Sequence, residues 1–225
     1  MKTFWVVTPW FPHWGNWKPL WSGYEFPNAA ELLPLLPADG EFAAAAPPTA
    51  RIEFTVEDFG DDCFRLGRFM FVSEAMRRAM ALGPSDIQYF DVDSSQSAPL
   101  PRSKRYQLMH VPVAEDVTDP ARSDYQFRHR PEGNELWGAP DVVAFRPDAE
   151  PAHEIFYDRF FKIALCTDAF AMRVLRAGCT GMRFLDPARL DHVGSCTRTL
   201  RGVEKANEWD PVRKISYTKL IQEIP

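Results

Sequence analysis

Residues 160–187, FFKIALCTDAFAMRVLRAGCTGMRFLDP, decide the fold reading, because start and stop signals mark each element. The run 160–165 is apolar and interrupted only by Lys162, which predicts a buried strand. Thr167 is a good N-cap, and Asp168 places a carboxylate in the first helical turn, where the helix dipole favours negative charge. Phe170, Val174 and Leu175 then recur on one helical face, with Ala171 between them. Gly178 suits the left-handed position past the helix end, after Arg176 in the last turn. Residues 181–186 follow as a second strand, closed by Pro187.

An earlier stretch, residues 69–91 (FMFVSEAMRRAMALGPSDIQYFD), has the same order of residue character. Ser73-Glu74-Ala75-Met76 stands where Thr167-Asp168-Ala169-Phe170 stands later. After a one-residue gap, Gly83 aligns with Gly178 and Ser85 with Thr180. The expectation is an α+β fold: a single domain, residues 1–225, with two similar strand-helix-strand units packed on a mixed sheet. Neither unit carries a glycine-rich phosphate loop, and both helix starts carry an acid, which repels anions.

Composition narrows the function classes. The chain has 225 residues, 45% hydrophobic and 13% aromatic, enough to bury a substantial core. A net charge of −5 argues against nucleic-acid binding, which needs a basic face, and fits a basic protein partner. No apolar run approaches the roughly 20 residues that span a bilayer, so no membrane partner is expected. The start, MKTFWVVTPWFPHW, does not read as a signal peptide, and a cytoplasmic location is expected. Cys63, Cys166, Cys179 and Cys196 show no C-x-x-C spacing, which predicts reduced thiols, no metal and no cofactor.

Working outward, residues 3–8 predict a first strand. Residues 1–60 are aromatic-rich, with Trp10, Trp14, Trp17, Trp21 and Tyr24 among Pro, Gly and Asn. This segment is either a recognition surface for sugar or protein, or an arm whose rings pack down on the sheet. The packed arm is preferred, because exposed tryptophan clusters promote aggregation. A short helix is expected at 28–36 with Asn28 as its cap, a loose connection at 41–50, and a strand at 51–56. Glu57, Asp58, Asp61 and Asp62 form an acidic cluster without the spacing of a calcium loop. Residues 106–113 predict a strand that includes His110. Residues 115–138 read as a long loop containing Glu115, Asp116 and Asp119 and one basic knot, Arg128-His129-Arg130. Short strands are expected at 142–145 and 154–157. Beyond Leu190, residues 188–225 form a tail whose pattern is weak except at 215–217.

Catalytic constellations are sparse. The five histidines have no H-E-x-x-H pair, and Gly194-Ser195-Cys196 lacks the pattern of a nucleophile elbow. An active site assembled from distant residues leaves no such trace.

The segments FRLGRFMFVSEAMRRAM, IQYFDVD, RYQLMHV and DRFFKIALCTDAFAMRVLRAGCTGMRFLDP together resemble an immunity-protein family of bacterial polymorphic toxin systems, immunity family eleven, formerly a domain of unknown function. The matching positions are Ser73, Tyr106, Thr167, Gly178, Thr180, Gly181 and Phe184, within residues 62–187. The resemblance implies a non-enzymatic cytosolic protein that binds a cognate toxin domain and blocks it. It carries over no catalytic residue. Two other readings stay open: a protein- or glycan-binding module that uses the tryptophan-rich segment, and an uncharacterised enzyme. As toxin contacts the acidic residues Glu57, Asp58, Asp61, Asp62, Glu115, Asp116 and Asp119 are expected, since toxins acting on nucleic acids or nucleotides present basic clefts.

Overall fold

A computed structural model describes residues 3–9, 24–32, 34, 49–54, 62–66, 69–95, 104–130, 133–136, 140–190, 196–210 and 215–220. In chain order its elements are β1 (Phe4–Pro9), β2 (Tyr24–Glu25), α1 (Ala29–Leu32), β3 (Ala50–Arg51), β4 (Glu53–Phe54), β5 (Cys63–Leu66) and β6 (Phe69–Ser73). Then come α2 (Glu74–Met80), β7 (Gln88–Asp93), β8 (Tyr106–His110), β9 (Ala114–Glu115), β10 (Phe127–Arg130), β11 (Gly133–Leu136) and β12 (Ile155–Asp158). The last are β13 (Ala164–Thr167), α3 (Asp168–Arg176), β14 (Met182–Leu185), β15 (Cys196–Thr199), β16 (Gly202–Asp210) and β17 (Ile215–Leu220). The class is α+β with mixed sheets, as expected. Among the described residues, no helix is long and apolar enough to cross a membrane.

Internal contacts group the chain into two compact units. One comprises Met1–Thr8, Ala114–Met172 and Arg183–Pro225; the other comprises Pro9–Val113 and Arg173–Met182.

The first unit is built on a sheet of order β17-β16-β15-β14-β1-β13-β12-β9. β1 pairs antiparallel with β13, while β9 joins β12 in parallel. Phe4, Trp5, Val6 and Val7 of β1 are all buried, as a central strand covered on both faces requires. Phe170 of α3 and Phe184 of β14 are both wholly buried, and their rings meet edge to face at 6.2 Å. The helix signals hold: Phe170 N–H donates to Thr167 Oγ1 at 3.3 Å, and Gly178 takes φ 71°. Val174 is buried as expected, and Leu175 is half-buried.

The start of the decisive stretch differs from expectation. Residues 160–163 form a turn, and the strand begins only at Ala164. The cause is Asp158, whose buried carboxylate accepts the Phe160 and Phe161 N–H groups at 3.1 and 2.7 Å. Lys162, the one polar interruption in that run, sits at φ 55° and closes the turn. The segment 115–138 is also more ordered than a loop. It holds β9, a 3-10 turn at Pro120–Arg122 and the β10–β11 hairpin, in which Arg128 is the register partner of Glu135. The tail forms an antiparallel meander, β15–β16–β17.

The second unit carries a sheet of order β3-β7-β8-β6-β5 and a small β2–β4 pair. Every residue of β6 is buried, which explains its unbroken apolar sequence. Phe69 and Phe71 join Phe64, Tyr106 and Leu108 in a core closed by Leu32, Ile52 and Phe54, with Phe64 and Phe71 stacked at 5.0 Å. The alternate residues Met70 and Val72 are buried too, as are Met76 and Met80 of α2, which packs against β6. Asn28 precedes α1 as expected, but its side chain is spent elsewhere. It accepts from Arg51 N–H and donates to Thr49 O, both at 2.9 Å. Helix α2 starts at Ser73 as expected and ends at Ala81, which takes the left-handed conformation at φ 52° in place of Gly83.

In both stretches the two strands flank a third: β8 lies between β6 and β7, and β1 lies between β13 and β14. Residues 10–23, 35–48 and 55–61 lie outside the described residues. With them lie most of the tryptophan-rich segment and the acids Glu57, Asp58 and Asp61.

Truncating a wholly buried ring removes both transfer free energy and packing. Phe184→Ala is expected to lower stability by about 3–5 kcal/mol in urea denaturation, while Leu200→Ala, at 57% exposure, changes it by less than about 0.5 kcal/mol. Equal losses would contradict this core.

Candidate functional site

The densest polar arrangement in the second unit surrounds Asp62. Its Oδ2 accepts the Thr180 N–H at 3.0 Å, with the Thr180 hydroxyl at 3.4 Å. Its Oδ1 accepts the Ser73 hydroxyl at 2.8 Å and the Lys104 ammonium at 3.0 Å. The backbone repeats the connection: Asp62 N–H donates to Thr180 O at 3.1 Å, and Ser73 N–H donates to Asp62 O at 2.7 Å. Ser73 in turn accepts Met76 N–H at 3.1 Å, so one hydroxyl caps α2 and holds Asp62. Burial works against the charge on Asp62. The hydrogen bonds from Thr180, Ser73 and Lys104, with the charge of Lys104, outweigh it and hold the carboxyl below its ordinary value.

Beside this clamp a cleft of about 680 Å³ opens, lined by Phe54, Glu74, Arg77, residues 91–95 and residues 104–107. Its charges are arranged in advance. Arg77 Nη1 donates to Gln107 Oε1 at 2.8 Å, and Gln107 Nε2 donates to Asp91 Oδ1 at 3.3 Å, so one amide joins a cation to an anion. Arg77 also lies 4.8 Å from the centre of the Tyr89 ring. Burial pushes the Tyr89 hydroxyl up to about 12, against the pull of Arg77. The Asp93 carboxyl is held down by the backbone and side-chain hydrogen bonds of Ser95. Both shifts move Tyr89 and Asp93 away from neutral pH, which suits recognition by fixed charges better than proton transfer.

The acids expected to meet a partner have differing surroundings. Asp62 is buried and committed to its donors. Glu115, in the first unit, accepts the N–H of Ala152 and of His153, with the His153 ring Nδ1 at 2.8 Å. Asp119 caps the 3-10 turn through Ala121 N–H at 3.2 Å. Asp116 is exposed and paired with Arg146 at 3.0 Å. Asp62 thus belongs to one compact unit, and Glu115, Asp116 and Asp119 to the other.

Sequence reasoning placed Ser73 and Thr180 at structural positions but missed what joins them. The carboxylate lies 11 residues from one and 118 from the other, and no local pattern reports such a separation. It also missed a second anchor. Asp168 Oδ1 accepts both the Trp5 indole N–H at 2.8 Å and Arg198 Nε at 2.9 Å, tying α3 to β1 and β15. The four cysteines carry free thiols. Burial, with Asp168 and Glu154 nearby, pushes Cys166 up, and burial with Asp62 nearby does the same for Cys179, so neither is activated as a nucleophile. Among the described residues, no three His, Cys, Asp or Glu side chains converge as metal ligands.

In comparison with known proteins, a family model described as the immunity protein family Imm11 matches residues 46–189, well over half of the chain. The match takes in the clamp, the lining of the cleft, and Glu115, Asp116 and Asp119. No curated protein matches the chain.

The clamp makes a pH-dependent contribution with a definite sign. The fold favours the ionised form of Asp62, so its contribution is full above the ordinary value of 3.8 and is lost as pH falls through the lower folded value. Asp62→Asn is expected to cost about 1.5–3 kcal/mol at neutral pH. Denaturant titrations of both proteins should show that gap narrowing below about pH 4; a constant gap down to pH 3 would contradict the assignment.

Proposed function

This chain belongs to the immunity protein family Imm11, and on that premise we propose that it acts in the cytoplasm by binding a cognate toxin domain of a bacterial polymorphic toxin system and blocking it. The family match over residues 46–189 is the observation that carries the reading. The chemistry of the described surface supports it. In the cleft Arg77 and Asp91 are joined in advance through Gln107, and the hydrogen bonds of Ser95 hold the Asp93 carboxyl below its ordinary value, further from titration near neutrality. A stable complex buries about 1,200–2,000 Å² in total, and the protein has 13261 Å² of accessible surface.

As candidate toxin contacts the proposal retains two separate groups, Glu57, Asp58, Asp61 and Asp62 as one and Glu115, Asp116 and Asp119 as another. Asp116 leads. Its ion pair with Arg146 is exposed on both sides, and such a pair is worth so little in water that a partner's cation can replace it. Asp62 and Glu115 act through the backbone they hold in place.

Expressing candidate toxin domains of such systems, first of all any encoded beside this protein, with and without it tests the function. Survival together with co-purification of the two chains is expected; survival without a physical complex would mean protection by another chemistry. Within the complex, Asp116→Lys should slow association severalfold and flatten its dependence on salt, with dissociation little changed. Stopped-flow mixing across ionic strengths checks this, and an unchanged rate removes Asp116 from the contact.

A further inference from the structure

We propose that the turn joining β12 to β13, residues 158–163, is a rigid docking tip whose anchor is Phe160, and that its occupant is a protein surface with an apolar socket edged by carboxylates. The inference rests on the binding reading above and names the part of the chain that enters the partner.

Three observations carry it. The first is the anchor. Among the described residues Phe160 is one of two large apolar side chains left exposed, at 37%. It is not an isolated ring: it meets Phe161 at 4.9 Å and Tyr125 at 5.5 Å, and Phe161 meets Tyr125 at 5.2 Å, all edge to face. The other exposed side chain, Leu200, lies in the β15–β16 turn. A supported aromatic ring is a typical interface anchor, because it offers much area and few torsions to freeze.

The second is rigidity. Asp158 is wholly buried, and its carboxylate accepts from Phe160 N–H, Phe161 N–H and the Thr118 hydroxyl. Its backbone closes the loop: Asp158 N–H donates to Ile163 O at 2.9 Å, and Lys162 N–H donates to Asp158 O at 3.0 Å. Lys162 is held in the left-handed region at φ 55°, a conformation unfavourable for a side chain that glycine would adopt freely. The surroundings therefore fix the turn against local preference. Such over-determined strain clusters at sites of recognition, and a tip ordered in advance loses little entropy on docking.

The third is charge. The two exposed side chains that flank the Phe160–Phe161 pair are Arg159 and Lys162, both cationic. They select carboxylates at the edge of the socket. Arg159 also ties the tip to the acidic segment: its N–H donates to Glu115 O at 2.9 Å and its Nη2 to Ala114 O at 3.1 Å. One partner face must then offer acids around the ring and bases opposite Asp116, and such alternation discriminates between partners more sharply than one sign alone.

The test measures binding of this protein to the toxin domain from which it protects cells on co-expression, by biolayer interferometry. Phe160→Ala is expected to raise Kd at least about tenfold, mainly through faster dissociation. Lys162→Glu, which leaves the three rings in place, is expected to raise Kd about threefold or more through slower association. Leu200→Ala should bind like the wild type. Urea midpoints of each variant separate lost binding from lost folding, with Lys162→Glu as the arm that does not disturb packing. Wild-type Kd for both Phe160→Ala and Lys162→Glu overturns the tip while leaving the binding reading intact. No complex with the wild-type protein overturns the binding reading itself.

Discussion

A carboxylate taken out of water must be supplied with donors, and meeting that demand at Asp62 sets the shape of the second unit. Its two oxygens draw in Ser73, Lys104 and Thr180, which no local element brings together. The Ser73 hydroxyl has one proton and free lone pairs. Giving the proton to Asp62 leaves a lone pair for Met76 N–H, so the start of α2 and the neutralisation of Asp62 are satisfied together. Removing the Asp62 carboxylate leaves the Ser73 hydroxyl and the Thr180 N–H without this acceptor. Such a network specifies one arrangement more than it adds net stability.

The same device recurs in the first unit with a different result. Asp158 is as deeply buried as the core phenylalanines, yet its donors are two N–H groups of an outward turn and one threonine hydroxyl. There the buried carboxylate fixes a surface feature. Asp168 does so for a helix start, accepting from Trp5 and Arg198. Asp62 and Asp158 show how an acidic protein of this composition uses part of its negative charge inside. Overall charge therefore overstates how much negative surface is free to meet a partner.

What was legible in the sequence was local. Thr167, Gly178 and Ser73 announce helix ends through short-range backbone chemistry, and each holds that place here. Phe170, Val174 and Phe184 announce burial through spacing, and each is buried. The unbroken apolar run of β6 likewise gives away a strand covered on both faces. What was not legible depended on long-range pairing. Residues 160–163 look like strand by composition, but a carboxylate at Asp158 folds them into a turn. The β10–β11 hairpin and the β15–β17 meander are built from backbone pairing between segments whose own sequence pattern is weak. For the site, the acidic residues were visible as charge. Whether each was spent inside, as at Asp62, or left outside, as at Asp116, was set by partners distant in sequence.

The central claim is that protection comes from stoichiometric binding by an Imm11 protein, not from turnover. Its most direct test is a titration of toxin activity against this protein at toxin concentrations well above the Kd. The account predicts a linear loss of activity that reaches its floor at a fixed, near-integer ratio of the two chains and does not deepen with incubation. Full inactivation at a small fraction of one equivalent, progressing with time, would contradict it and identify the protein as a catalyst.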